Sequence, residues 1–214
     1  MLLTADHVSF RYADADWLYE DLSVTCESGR VVGLAGPSGS GKSTLLDLLG
    51  MTYRPATGEV KLVDDHGDVI ATSGADESAD AGARFAWILQ SNSVLSGRSV
   101  LDNVAIAQIA NGASIREARN RAEGALAQVG LSNRASSPVN ELSGGEVQRV
   151  TVARCLTSSA RVILADEPTG QLDAHNTVLV ADALRQLAAD GRVVVVATHD
   201  ERVMDQCDDL LRLR

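Results

Sequence analysis

The feature that most constrains this chain is a glycine-rich segment between an apolar run and an apolar helical pattern. Residues 36–43 fit G-x-x-x-x-G-K-[ST], after the apolar residues 31–35 and before the leucine-rich residues 45–49. A strand that leads through such a segment into a helix is typical of a phosphate-binding loop. Its glycines let backbone N–H groups turn towards phosphate oxygens, and the helix adds the positive end of its dipole. We therefore predict that a nucleotide binds to Gly36, Pro37, Ser38, Gly39, Ser40, Gly41, Lys42, Ser43 and Thr44.

Composition narrows the class of protein further. The chain has 214 residues, of which 45% are hydrophobic, and this is enough for a substantial core. Its net charge of −10 argues against a nucleic-acid surface, which is usually basic. The longest apolar stretches have the length of a strand and fall short of the roughly 20 residues that a membrane span needs. The first residues lack the pattern of a signal peptide, so we expect a cytoplasmic protein whose membrane role, if any, needs a separate partner.

Hydrophobic periodicity predicts two kinds of sheet. Residues 2–10 and 18–26 alternate or run apolar, which favours strands of an antiparallel layer, and residues 58–63 and 69–71 are typical of a hairpin. The runs 162–165 and 193–197 are apolar throughout, as expected of a parallel sheet that is covered on both faces. Shorter strands are predicted over residues 85–89 and 209–213, and an exposed loop over the small, acidic residues 72–83.

A helical region lies between the two halves of the parallel sheet. Residues 100–110, 114–129 and 143–157 show apolar spacing typical of helices, and a further helix is predicted at about 176–189. Strands that alternate with helices indicate an α/β fold. We predict one domain over residues 1–214, with a mainly parallel core sheet, an antiparallel β layer and a helical lobe inserted at about residues 98–160.

A second motif begins the last helix of that lobe. Leu142 is followed by Ser143, Gly144, Gly145 and Glu146. Serine followed three residues later by glutamate is a capping box, so an ordinary helix start is one reading. The other is a phosphate-binding surface, because the two glycines leave backbone N–H groups open at a helix N-terminus. Together with the phosphate-binding loop, the motif resembles the signature sequence of ATP-binding cassette (ABC) ATPases.

Three further motifs follow in the order found in that family. The strand 162–165 ends in Asp166 and Glu167 and resembles the Walker B element, which implies that Asp166 holds Mg²⁺ and that Glu167 is the general base for water. The segment 168–173 resembles the D-loop, with Asp173 as its aspartate. His199 fits the switch histidine that reaches the γ-phosphate, although a lone histidine at a strand end is more often structural.

Two residues outside these motifs also match positions of the family. Gln90 matches the Q-loop glutamine, which implies contact with Mg²⁺ or the attacking water and with the membrane partner. Tyr12 matches the aromatic residue that stacks on adenine, while packing at a sheet edge is its alternative reading. Ser43, Gln90 and Asp166 are the implied Mg²⁺ ligands, and Lys42, Gln90, Glu167 and His199 the implied catalytic residues.

The resemblance runs from Tyr12 to His199 and implies a P-loop NTPase of ABC type that binds ATP and Mg²⁺. It is nearest to the small cassettes of macrolide export, lipoprotein release, haem export and cell division. An ATP-hydrolysing transporter subunit for hydrophobic or amphipathic cargo is therefore expected, peripheral on the inner face of the membrane. It implies a homodimer around ATP and a permease that docks near residues 90–104. A mechanotransmission regulator of cell-wall or cell-division machinery is the alternative, and a soluble ABC protein on ribosomes or DNA a more distant one.

Overall fold

The computed structural model describes residues 1–13, 15–74, 84–89 and 94–213. Within these ranges the chain forms nine strands and six α-helices. Their bounds are β1 (Leu2–Phe10), β2 (Tyr19–Glu27), β3 (Val31–Ala35), α1 (Lys42–Leu49), β4 (Thr57–Val63), β5 (Val69–Thr72), β6 (Phe85–Ile88), α2 (Val100–Ala110), α3 (Ile115–Gln128), α4 (Gly144–Thr157), β7 (Val162–Asp166), α5 (Ala174–Ala189), β8 (Val193–Ala197), α6 (Glu201–Met204) and β9 (Asp209–Arg212).

The antiparallel layer has the strand order β2-β1-β4-β5. Side chains of β1 alternate between buried and more exposed positions, with Leu3, Ala5 and Val8 fully buried. The strands β4 and β5 pair antiparallel as a hairpin. The predicted layer and hairpin are thus confirmed, while residues 75–83 of the predicted loop lie outside the described residues.

The core sheet is parallel and has the order β6-β7-β8-β3-β9. Its central strands are apolar on both faces because each face has its own core. Val194 and Val196 pack with the helical side, whereas Val193, Val195 and Ala197 pack with α1 and the antiparallel layer. The helix α1 therefore lies between the two sheets, and the predicted mainly parallel core is confirmed.

The helices α2, α3 and α4 pack on one another and on the opposite face of the core sheet. The interior side of α3 is made of small residues, Ala118, Ala122 and Ala125, which let it lie close to its neighbours. The helix predicted after the phosphate-binding loop and the four predicted from residue 100 onwards are confirmed, but the one expected from residue 176 begins at residue 174. It begins earlier because the side chain of Asp173 caps it by accepting a hydrogen bond from Asn176 N at 2.8 Å. None of the helices in the described ranges is both long and apolar enough to cross a membrane.

Candidate nucleotide-binding site

The carboxyl ends of the parallel strands β3, β7 and β8 meet at one edge of the core sheet. In open α/β sheets this edge is where ligands bind. A cavity of about 560 Å³ opens there. It is lined by residues from five separate segments of the chain: Tyr12, Leu18, Ser38, Gly39, Gly41, Lys42, Ser43, Thr44, Asp166, Glu167, Gly170 and His199. We call it the loop cavity.

The phosphate-binding loop takes its shape from glycine. Gly39 and Gly41 have φ of 85° and 89°, in the left-handed region that favours glycine. Gly41 also lies against Tyr19, whose hydroxyl donates to the carbonyl oxygen of Gly41, so there is no room for a side chain. Gly41 precedes α1 without a side-chain cap. The N–H groups of the first turn are thus left for a ligand that accepts hydrogen bonds.

The ammonium group of Lys42 lies inside this loop. Lys42 is only 8% exposed, and its Nζ donates to the carbonyl oxygens of Gly36 at 2.9 Å and Pro37 at 3.0 Å. The hydroxyl of Ser40 is also buried, and it finds no hydrogen-bond partner in the part of the chain that the structure describes. A buried cation and an unpaired hydroxyl around open N–H groups fit an oxyanion such as a phosphate group.

Ser43 and Asp166 bring a hydroxyl and a carboxylate together in the lining of the loop cavity. The pKa of the Asp166 carboxyl is raised, mainly by burial and also by the charge of Glu167, while a hydrogen bond from Ser43 and the charge of Lys42 oppose the rise. Hydroxyl and carboxylate oxygens are the ligands that Mg²⁺ takes in nucleotide sites, along with phosphate and water. The pair fits Mg²⁺. Gln90, the third predicted ligand, lies outside the described residues.

Sequence reasoning missed one carboxylate near this pair. Asp47 lies one turn after Ser43 on α1, and the pKa of its carboxyl is raised by partial burial and by the charge of Asp166. Residues one turn apart share a helix face, so the spacing from Ser43 is the signal that points to it. No cluster of three or more His, Cys, Asp or Glu residues suited to a metal occurs among the described residues.

Glu167 and His199 form a close pair in the lining of the loop cavity. His199 Nδ1 lies 2.8 Å from Glu167 Oε1, and the two side chains are 71% and 14% exposed. Glu167 has a φ of 47°, which is rare for a residue other than glycine, and its N–H donates to Ala197 O at 2.9 Å. Such a conformation costs about 1–3 kcal/mol and persists only when the surroundings impose it. In this conformation Glu167 lines the loop cavity and its carboxylate contacts His199.

Tyr12 lines the loop cavity, and its side chain is partly exposed to solvent. It is 47% exposed, and its hydroxyl lies 2.7 Å from Thr44 Oγ1. Leu18, which sequence reasoning did not single out, also lines this cavity. An exposed aromatic ring in the lining of a cavity can cover a face of a planar base.

The signature motif lies elsewhere, at the N-terminus of α4. Ser143 Oγ accepts from Glu146 N at 3.3 Å, and Glu146 Oε2 accepts from Ser143 N at 2.8 Å, which confirms the capping box. The pKa of the Glu146 carboxyl is lowered by hydrogen bonds from the backbone N–H of Ser143 and from its hydroxyl, which lies 3.0 Å from Glu146 Oε2, and by the nearby charge of Arg134. The motif lines a second cavity of about 370 Å³, the signature cavity, with Ser143, Gly144, Gly145, Glu146, Arg149, Gln171, Leu172, Asp173 and Asn176.

The structure thus separates the predicted site residues into two groups. The loop cavity brings together Tyr12, residues of the phosphate-binding loop, Asp166, Glu167 and His199. The signature cavity holds Asp173 and the motif that begins at Ser143, and among the residues that the structure describes it shares no lining residue with the loop cavity. Asp173 itself caps α5, and hydrogen bonds from Asn176 lower the pKa of its carboxyl.

A parallel sheet with this loop and paired carboxylates at its carboxyl edge defines a P-loop NTPase. Comparison with known proteins specifies the kind: the ABC transporter family matches residues 19–170. The macrolide export ATP-binding/permease protein MacB of Rhodopseudomonas palustris (strain BisB18) is 43% identical over 194 residues, which cover 90% of this chain and 29% of that protein. The chain belongs to the ABC transporter family, as an ATP-binding cassette with the ATPase fold.

Two solved structures have the same fold. A dimeric ATP-binding cassette in a post-hydrolysis state, bound to ADP and Pi, is 28% identical, with a TM-score of 0.85 over 99% of this chain and 94% of that one. A bacterial Atm1-family ABC exporter with ATP bound is also 28% identical, with a TM-score of 0.82 over 100% of this chain and 37% of that one. The chain spans about three tenths of the length of the curated relative.

Proposed function

We propose that this chain binds and hydrolyses ATP as the motor part of an ABC membrane transporter that exports or extracts hydrophobic or amphipathic cargo. The observation that carries the proposal is the loop cavity, where a buried lysine, two carboxylates and a histidine converge from distant segments. Similarity to a macrolide export protein supports export as the direction. Cargo recognition would then belong to the membrane partner.

Each residue of the loop cavity has its own role in phosphoryl transfer. Catalysis of this reaction depends mostly on positioning the reactants and on electrostatic stabilisation of the phosphate charges. Lys42 and the open N–H groups of the loop neutralise the phosphates. Ser43, Asp166 and Gln90 would hold Mg²⁺, which when bound stabilises negative charge on the phosphate oxygens. Glu167 takes the proton of the attacking water, and His199 stabilises the γ-phosphate end. The contact between Glu167 and His199 supports these two roles, because it keeps both groups together in the lining of the loop cavity.

We further propose that two copies of the chain act as a homodimer. The signature motif and the phosphate-binding loop line separate cavities of one chain, so a second copy is needed if both are to contact one ATP molecule. A neighbour of the same fold was solved as a dimer. In this arrangement the N-terminus of α4 and Asp173 of one copy face the loop cavity of the other. ATP binding would close the dimer and hydrolysis would open it.

The membrane partner would be an integral permease that docks near residues 90–104, placing the chain on the cytoplasmic face of the membrane. In the described part of this range, Leu95 presents an apolar side chain that is 45% exposed. Leu101 is only partly buried beside the helical core. A partner helix of the permease would cover this apolar surface and follow the motion of the dimer.

The decisive experiment traps the closed state and identifies what it holds. A tagged Glu167→Gln variant is expressed in native membranes, solubilised with ATP and magnesium, purified and analysed by mass spectrometry. We expect a membrane subunit with transmembrane helices to co-purify. The matched control is the double variant Glu167→Gln/Lys42→Ala, which should lose the ATP-dependent part of the complex.

Each outcome of this experiment separates the candidate functions. A permease of the exporter type supports the proposal, and its identity indicates the cargo. A membrane partner that recruits cell-wall hydrolases would replace transport by mechanotransmission. Ribosomal proteins or nucleic acid without any membrane subunit would overturn the transporter proposal and leave an ATPase.

A further inference from the structure

The ring of Tyr12 belongs to a cluster of three aromatic side chains, with Phe10 and Tyr53. Of these three, only Tyr12 lines the loop cavity. Phe10 and Tyr53 are stacked, with ring centroids 5.7 Å apart and an interplanar angle of 14°. The ring of Tyr12 stands perpendicular to both, at 5.1 Å from Phe10 and 6.2 Å from Tyr53. Perpendicular contacts of this kind place the positive edge of one ring on the negative face of another and fix its orientation.

The side chain of Tyr12 is held at two points, one on α1 and one just beyond its end. Near the beginning of this helix, Thr44 Oγ1 lies 2.7 Å from the hydroxyl of Tyr12. Beyond its end, Tyr53 contacts the ring of Tyr12, and the backbone N–H of Tyr53 donates to Asp47 O in the last part of the helix. A ring fixed at its hydroxyl and at its side has little freedom to rotate. The same helix also begins at the phosphate-binding loop, so the ring is placed relative to that loop.

Tyr53 can act on a nucleotide through Tyr12. Tyr12 and Thr44 line the loop cavity, whereas Tyr53 does not. We propose that Tyr53 is a positioning residue for the nucleobase: it holds the ring of Tyr12 in the orientation that a purine stacks on, and so favours ATP over the bare triphosphate. The inference rests on the proposed function, because it assumes that Tyr12 contacts the base of a bound nucleotide.

The physical reason is pre-organisation. A free tyrosine side chain would lose rotational freedom when a base stacks on it, and this cost weakens binding. A ring that is already fixed has no such cost. Replacing Tyr53 by a small residue should therefore weaken only the part of the affinity that comes from the base. The phosphates bind to groups that Tyr53 does not contact.

The test measures dissociation constants of Mg-ATP and of magnesium tripolyphosphate by isothermal titration calorimetry. For Tyr53→Ala we expect the dissociation constant of ATP to rise about 2- to 12-fold, the range that one aromatic contact provides, while that of tripolyphosphate stays unchanged. Tyr53→Phe keeps the ring and should bind ATP as the unaltered chain does. Trp17→Ala is the matched control, since Trp17 is an exposed aromatic residue that packs on Arg11 instead.

A double-variant cycle shows whether Tyr53 acts through Tyr12. In a Tyr12→Ala chain, adding Tyr53→Ala should have no further effect on ATP binding, since coupled residues are not additive. Equal loss of affinity for ATP and tripolyphosphate in Tyr53→Ala, or no loss at all, overturns the inference. If Tyr12→Ala itself leaves ATP affinity unchanged, the proposed contact of Tyr12 with the base fails, and the inference with it.

A merely structural role for Tyr53 predicts a different pattern. It would lower the midpoint of thermal unfolding and reduce kcat together with ATP affinity. The positioning role predicts a raised KM for ATP with kcat unchanged at saturation. Tyr53→Leu serves as a second variant if Tyr53→Ala does not fold, because it fills the space without an aromatic ring.

Discussion

Two helix N-termini in this molecule carry glycine-rich motifs, and they are built in opposite ways. The helix α1 follows Gly41 with no side-chain cap, and a buried lysine, Lys42, is its first residue. The helix α4 follows Ser143 with a complete capping box, and the carboxylate of Glu146 lies at its start. The first end leaves its N–H groups open beside a cation. The second already uses some of its N–H groups and adds a negative charge.

The two helix N-termini therefore differ in how strongly each can attract a phosphate group. The positive end of α1 is reinforced by Lys42, so the loop cavity attracts an anion without another chain. At α4 the Glu146 carboxylate offsets part of the helix dipole, and its ion pair with Arg134 at 3.1 Å fixes it there. We therefore infer that α4 contributes to nucleotide binding only when a phosphate is already held by another copy.

The largest expected effect tests whether ATP hydrolysis takes place in the loop cavity. Glu167→Gln removes the proposed general base and should lower kcat for ATP hydrolysis by about 10²- to 10⁴-fold, while ATP binding persists. Phosphate release measured at saturating ATP checks this result. Glu123→Gln, a change of the same kind at an exposed site on α3, should hydrolyse ATP normally. Hydrolysis at an unchanged rate in Glu167→Gln would show that another group is the base.

The next largest effect concerns the affinity for ATP at the N-terminus of α1. Lys42→Ala removes the charge that lies within hydrogen-bonding distance of the loop carbonyl oxygens, and it should weaken ATP binding by about 10- to 100-fold. Calorimetry with Mg-ATP measures the loss. Lys61→Ala removes the same charge from β4 and should bind ATP normally. Unchanged affinity in Lys42→Ala would contradict the role of the loop in phosphate binding.

A smaller effect separates the two helix ends. Ser143→Ala removes the cap of α4 and should lower the free energy of unfolding by about 1 kcal/mol, as cap losses do. ATP binding to the loop cavity should remain, but dimer-dependent hydrolysis should fall. Ser99→Ala is the matched control, because Ser99 caps α2 by accepting from Asp102 N at 3.1 Å and lies in neither cavity. It should cost similar stability, measured by urea unfolding, without the loss of hydrolysis.

The smallest effect is a pH dependence at the α4 end. The folded chain holds the pKa of Glu146 below its ordinary value of 4.5, so the stabilisation is fully present above that value and is lost as pH falls through the lowered pKa. Between pH 7 and about pH 4, the unaltered chain should lose more stability than Glu146→Gln, by less than about 1 kcal/mol. Urea unfolding at both values measures the difference. Parallel losses in the two proteins would show that the capping carboxylate contributes nothing.

Much of the fold was predictable because it follows from local periodicity. The strand 193–197 is apolar at every position, which predicted a strand buried on both faces, and the structure places its alternate side chains in two different cores. The spacing of Ser143 and Glu146 predicted a capping box for the same reason, since both residues belong to one turn of helix. The early start of α5 was missed, although Asp173 is a residue type that caps helices.

Contacts between segments that are distant in sequence could not be predicted from local periodicity. The pairing of Glu167 with His199 spans 32 residues, and it depends on β7 and β8 being neighbours in the sheet. The left-handed backbone of Glu167 has no signal in its residue type. The packing of Tyr53 against Tyr12 depends on where the end of α1 meets the antiparallel layer.

The sequence by itself determined which groups this protein has for chemistry and which local structures carry them. The phosphate-binding loop, the two carboxylates after β7 and the capped start of α4 all lie within short segments, where residue type and spacing set the conformation. Only the tertiary structure decided which of these groups meet. Strand order and the packing of α1 between two sheets put Lys42, Asp166 and His199 around one cavity and kept Ser143 in another. The distance between two segments depends on how the whole chain packs, and no short stretch of sequence contains that information.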